Sequence, residues 1–303
     1  MRYFAILLLV GFILPVAARS QRPPNVTSTP DPILMRQIEW QRVREHLGDL
    51  DRLEKTTAPA TRPTEDNRRI ILDTLYRRSR SDELQLLSPD EEDRTKYAEF
   101  LRQSGTGLTK LIRDFGCDEY SSALRNEQIC QRFSMPGGGM AFSFRQSDYQ
   151  VWKLSDLLCD GRSFIAFGEM SLGFIVDLGD APLENVRLDS KGLSFLTAFS
   201  PSSDLAEATK QNTSFADGLT ENGFLYKEFL PVVVGHTYVL RSVAYKGKVE
   251  REHFGAKYNE LDFDQRKDVI VAFQAVRQDF NGTVTILWRV LQMSQSPVLK
   301  SGK

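Results

Sequence analysis

Ile33, Trp40, Val43, Leu47 and Leu50 recur at intervals of seven, three, four and three residues. That spacing lines one face of an α-helix. Asp31 and Pro32 suit its start, because a carboxylate caps the first free N–H groups and proline lacks one. The pattern predicts a helix to about Lys55, a Pro/Thr break over Thr56–Thr64, and a second helix from Glu65 to about Arg80. Ser88 and Glu91, with Pro89 between them, have the spacing of a capping box and predict a third helix carrying Tyr97, Phe100 and Leu101. Beyond Gly105 and Gly107, the positions of Leu108, Leu111, Ile112 and Phe115 again fit a single helical face.

After Gly137-Gly138-Gly139 the pattern changes. Short apolar runs take over at Ala141–Arg145, Phe164–Phe167, Leu172–Leu178, Leu193–Phe199, Phe224–Val234, His236–Tyr245, Val269–Arg277 and Thr283–Leu291. Glycine-bearing turns separate them, and Asn281-Gly282 is a strong hairpin signal between the last two. A short helix is predicted in an insertion over Pro201–Lys210. Many short strands without βαβ alternation favour antiparallel pairing. The expected fold class is therefore α+β: N-terminal amphipathic helices followed by an antiparallel β-rich domain, either a sandwich or an open barrel.

Composition sharpens this division. Residues 19–114 hold 35 charged residues in 96 and four aromatics, whereas residues 115–303 hold 43 in 189 and 24 aromatics. Only the second part can build a large aromatic core. The expected organisation is a signal peptide over 1–20, a Pro/Thr spacer over 21–30, a helical segment over 31–115, a connector over 116–139, a β-rich domain over 140–293 and a flexible tail over 294–303.

The first twenty residues carry their own reading. Arg2 precedes an eleven-residue apolar core, Phe4–Leu14, which is too short for the ~20 residues that span a bilayer. Pro15 and the small residues Ala17 and Ala18 then suit cleavage after Ala18 or Ser20. Export to a periplasmic or extracellular compartment is expected, with no membrane span in the mature chain. Such a compartment permits disulfides. Of the three cysteines, Cys117 and Cys130 are thirteen apart and form the expected bridge, leaving Cys159 as a buried thiol.

A net charge of −1 gives no global basic excess for nucleic acid. Gly168-Glu-Met-Ser171-Leu-Gly173 is one residue too long for a nucleophile elbow, and Gly105-Thr-Gly107 lacks the spacing of a phosphate loop. No cofactor is expected. The one stretch dense in chemistry is 250–268. His253, Asp262 and Asp264 are its candidate acid–base residues, and Glu250 joins them as a candidate metal-binding set. Arg251, Lys257, Arg266 and Lys267 interleave them, so a solvated loop with local ion pairs explains the same residues. The expected function is that of an exported, non-catalytic interaction or envelope accessory module whose N-terminal helices meet a protein partner. The alternative is a hydrolase or small-ligand-binding enzyme with its site on loops around residues 250–268.

Overall fold

The computed structural model describes Tyr76, Arg78, Ser79 and residues 81–112, 139–253 and 256–300. The expected leader, spacer and first helix lie outside these residues, as does the second helix apart from its end, where Tyr76, Arg78 and Ser79 are not helical. Cys117 and Cys130 and the bridge expected between them also lie outside.

The described chain is mostly antiparallel sheet with few helices. Seven strands form a large sheet in the order β1 (Thr106–Leu111), β14 (Val284–Gln295), β13 (Lys267–Gln278), β10 (Thr237–Ala244), β6 (Ser171–Asp177), β8 (Phe224–Lys227) and β7 (Leu219–Glu221). Five form a smaller one in the order β3 (Asp148–Tyr149), β2 (Ala141–Ser143), β4 (Leu157–Cys159), β5 (Ser163–Ala166) and β9 (Phe229–Pro231). A separate hairpin pairs β11 (Glu250–His253) with β12 (Ala256–Asn259).

The two sheets face each other across an aromatic core, as in a β-sandwich. Phe164 of the small sheet lies edge-on to Phe273 and Tyr238 of the large one, at centroid distances of 4.9 and 5.1 Å. Phe142 and Phe144 pack on Trp288. Burying each such ring stabilises by ~1.5–3 kcal/mol. The opposite face of the large sheet is covered as well, by α3 (Ser194–Ala198) and α4 (Leu205–Asp217). There Phe174 stacks on Phe215 at 4.0 Å, with Phe195, Phe199 and Tyr226 around them. A sheet covered on both faces explains why all eight residues of β10 are buried.

The apolar run Phe224–Val234 does not form one strand. It breaks at Glu228, so that β8 pairs with β6 in the large sheet and β9 with β5 in the small one. Between them, the Glu228 N–H donates to the Phe215 carbonyl and the Glu228 carbonyl accepts from the Ala166 N–H. One chain segment thus stitches the two sheets together.

Several expected elements change type or extent. Thr106–Leu111 is a strand rather than a helical face. Gly107 makes this pairing feasible, because a Cβ there would sit 2.3 Å from the Trp288 ring. The indole lies over the bare backbone and donates to Thr109 Oγ1 at 2.8 Å. Leu193–Phe199, expected as a strand, holds α3 instead, with Leu196 fully buried. A short apolar run alone does not separate these two states. The third helix is short, α2 (Glu91–Lys96), following α1 (Ser81–Leu86). Its N-cap is Asp90, and no side chain caps it, so the expected Ser88–Glu91 box does not form. The insertion helix α4 starts at Leu205, with the Asp204 carboxylate accepting from the Glu207 N–H at 3.0 Å, and runs beyond Lys210 to Asp217. Finally, the residues expected as a tail are partly paired: β14 extends to Gln295, and Val298 and Lys300 form bridges with Lys246 and Asp204.

Candidate functional site

The chemistry-dense stretch 250–268 folds as the β11–β12 hairpin followed by a 3₁₀ turn, Glu260–Phe263. The hairpin register sets Glu250 opposite Asn259 and His253 opposite Ala256, at its two ends. Glu250 is exposed and held by Lys248 at 2.6 Å; that hydrogen bond and charge keep its carboxyl below the usual range. Asp262 accepts from Asn259 Nδ2 at 2.7 Å at the surface. Asp264 is fully buried. Glu250, Asp262 and Asp264 therefore serve separate surroundings. Among the described residues, no group of three or more His, Cys, Asp or Glu side chains is placed to hold a metal ion.

Glu250, Glu252, Lys257 and Asp262 stay in solvent, the first three in local ion pairs, whereas Glu260, Asp264 and Arg266 enter a buried lattice of opposite charges. Asp156 stands at its centre with no exposed side-chain surface. It accepts from Ser242 Oγ at 2.6 Å, from Ser143 Oγ at 3.4 Å and from the Arg145 backbone N–H at 3.2 Å, and it pairs with the Arg145 guanidinium at 3.2 Å. Arg145 reaches Asp264 at 3.2 Å, and Arg266 binds Asp264 from the other side at 2.9 Å. Arg266 also donates to the carbonyls of Tyr245, Glu169 and Met170, which pins the turn before β6. Burial pushes its guanidinium below the ordinary value.

Arg251 extends the lattice outward. It grips Glu169 through both carboxylate oxygens, at 2.5 and 2.6 Å, and Glu260 at 2.6 Å. Glu260 is nearly inaccessible and also accepts from Tyr76 Oη at 2.7 Å. Burial opposes ionisation of Glu260, but Lys153, the Tyr76 hydroxyl and Arg251 together hold its pKa below the usual value. Glu169 goes the other way, raised by burial and by the neighbouring Glu260 charge. Elsewhere, Arg241 and Asp268 form a two-bonded pair, at 2.8 and 3.1 Å, that also ties the Leu196 and Phe199 carbonyls of α3 to the sheet. Sequence spacing could not reveal the lattice: Arg145 and Asp156 are brought together by the pairing of β2 with β4, and Asp264 reaches them from the turn before β13.

Other chemistry noted in the sequence is occupied structurally. Cys159 is free and buried in the core between the sheets, where burial pushes its thiol up to about 12. Ser171 begins β6 after a tight turn, with its Oγ directed to the Glu169 carbonyl at 3.3 Å. His236 holds Asp177 at 2.9 Å at the start of β10.

A different feature lies at one end of the sandwich. A cleft of about 330 Å³ is lined by residues 160–162 and 278–282. Its floor is a contact between two loops: Gln278 Nε2 donates to the Gly161 carbonyl at 2.8 Å, and a Cβ on Gly161 would lie 2.7 Å from the Gly282 carbonyl oxygen. Gly161 has φ +84°, a second reason for glycine. The expected Asn281-Gly282 turn closes the β13–β14 hairpin, with the Asp279 N–H donating to the Thr283 carbonyl and Gly282 at φ 86°. Phe280, at the tip, is fully exposed (105%). Val233 and Val234 are exposed on the neighbouring β9–β10 loop, which is joined to the cleft by the Val232 N–H bond to the Arg162 carbonyl. An aromatic residue inside an Asn-Gly turn is the one sequence signal that could have singled out this end.

No helix among the described residues is long and apolar enough to cross a membrane. Comparison with protein-family models, with curated proteins and with solved structures finds no match for this chain.

Proposed function

We propose that the mature chain is an exported, non-catalytic contact module of a cell envelope or extracellular space, and that its β-sandwich offers the 160–162 and 278–282 loops to a protein partner. The observation that carries this reading is Phe280: a whole phenyl ring in water at a polar cleft, whose Arg162 is bonded to the loop that carries exposed Val233 and Val234. An aromatic anchor surrounded by polar groups is the usual composition of a binding hot spot. The N-terminal helical segment, with its apolar stripe at Ile33, Trp40, Val43, Leu47 and Leu50, supplies a second contact in this proposal. The hydrolase alternative around residues 250–268 has less support, because Glu260, Asp264 and Asp268 are already bound to guanidinium groups.

A photoreactive phenylalanine analogue placed at position 280 in the exported chain tests this. A discrete cross-linked species is expected from position 280 and none from exposed Gln292 on β14. A monomeric mass in the producing cells, with no adduct from position 280 or from position 40, would overturn the proposal.

A further inference from the structure

Arg187 and Arg289 differ from most arginines of the fold. Arg145, Arg241, Arg251, Arg266 and Arg277 each have a carboxylate within 3.2 Å. Arg187 and Arg289 have none among the described residues. They face each other instead: Nη1 of each points at the same acceptor, the Glu184 carbonyl, at 2.5 Å from Arg187 and 3.4 Å from Arg289.

The two guanidinium groups are held in this position by the fold. Arg289 projects from β14, where it sits opposite Thr106 on one side and Ala272 on the other. Arg187 follows the 3₁₀ turn Leu183–Asn185, whose Leu183 and Val186 are buried in the core beneath the helices. Arg289 Nε is buried with no hydrogen-bond partner. Glu184 and Asp189, the nearest carboxylates in sequence, make no ion pair with either arginine. Arg187 Nη1 also donates to the Val186 carbonyl at 2.9 Å, but backbone carbonyls carry no full negative charge to offset two adjacent guanidinium groups, and an unpartnered buried donor is costly. Burial and the Arg187 charge both act to depress the Arg289 pKa. A doubly charged oxygen ligand would remove the repulsion and take up the free donors, since guanidinium forks match phosphate and sulfate oxygens in pairs.

We propose that Arg187 and Arg289 form a binding site for a tetrahedral oxyanion, the phosphate or sulfate group of a small ligand. The site lies on the helix-covered side of the large sheet and is independent of any contact made through Phe280.

Titration of the full exported chain with inorganic phosphate, sulfate and glycerol phosphate, each against sodium chloride and acetate at matched ionic strength, tests it. Saturable binding and a raised Tm are expected with tetrahedral anions and not with acetate. Tighter binding of glycerol phosphate than of free phosphate would identify a phosphate ester as the source; equal binding would identify the free ion. R187Q and R289Q are each expected to weaken binding by about tenfold or more. Without ligand, R187Q is expected to unfold at a higher temperature than the parent chain, because the repulsion is gone. Arg187 is exposed, so R187Q and R187K keep the test decisive if R289Q fails to fold. Unchanged phosphate binding in R187Q, or no preference of the parent chain for phosphate over acetate, would overturn the proposal.

Discussion

The lattice beneath the 250–268 stretch and the cleft at the 278–282 end use similar residues in opposite ways. In the lattice, carboxylates and guanidinium groups are buried and bound to each other. At the cleft, the polar groups fix loop backbones: Asp160 accepts from the Arg162 and Ser163 N–H groups, and Asn281 accepts from the Thr283 N–H. The Arg162 side chain and the Phe280 ring are left to solvent. Charge density in a sequence is therefore a poor guide to which charged groups the fold leaves in solvent. Removing one partner from inside a lattice leaves an uncompensated buried charge, whereas removing an exposed ring costs the fold almost nothing.

The sharpest way to break this contrast is Asp156→Ala. It strands Arg145, Ser143 and Ser242 in the interior, and a loss of about 3–5 kcal/mol is expected in denaturant unfolding. A loss below about 1 kcal/mol would mean that the lattice is hydrated and less demanding than its geometry implies.

Glu260→Gln should cost less, about 2 kcal/mol at pH 7, because the amide still accepts hydrogen bonds. Its pH dependence is more informative. The folded-state pKa of Glu260 lies below 4.5, so its contribution to stability is present above that pH and lost as the pH falls through the lowered value. Glu169 has the opposite sign: its raised pKa means that its contribution is fully present below 4.5 and lost as the pH rises through the raised value. Glu260→Gln should flatten the acid limb of a stability–pH curve, and Glu169→Gln should be the milder change at pH 7. Equal losses in the two variants would contradict this assignment.

At the other region, Gly161→Ala combines a positive φ with a clash against the Gly282 carbonyl. About 1–3 kcal/mol of destabilisation is expected, with thermal unfolding as the readout. The smallest change belongs to Phe280→Ser. Its stability should stay within about 0.5 kcal/mol of the parent while partner binding is lost. A large drop in Tm for this variant would make Phe280 a packing residue and erase the distinction between the two regions.

The legible parts of the fold were those written in local backbone chemistry. Asn281-Gly282 marks its hairpin because Gly282 supplies the positive φ that closes the Asp279–Thr283 turn. The core strands of the large sheet are visible as apolar runs because both faces of that sheet are covered. Asp264 was legible as a residue of interest but not in its role, since nothing near it in sequence marks Arg145 as its partner.

By itself, the amino-acid sequence determined an aromatic-rich antiparallel β domain, its last hairpin and a short helix in the insertion at 201–210. These follow from residue-level preferences for turns, caps and apolar burial. Tertiary structure alone decided that Thr106–Leu111 is a strand, because Gly107 must meet Trp288 from β14. It alone decided that Leu193–Phe199 holds a helix, because Leu196, Phe195 and Phe199 fit around Phe174 and Phe215. Likewise, it set Asp156 beside Arg145 and left Arg187 beside Arg289 with no carboxylate partner among the described residues. Each of these outcomes depends on the distance between side chains far apart in the chain, and that distance exists only after the sheets have paired.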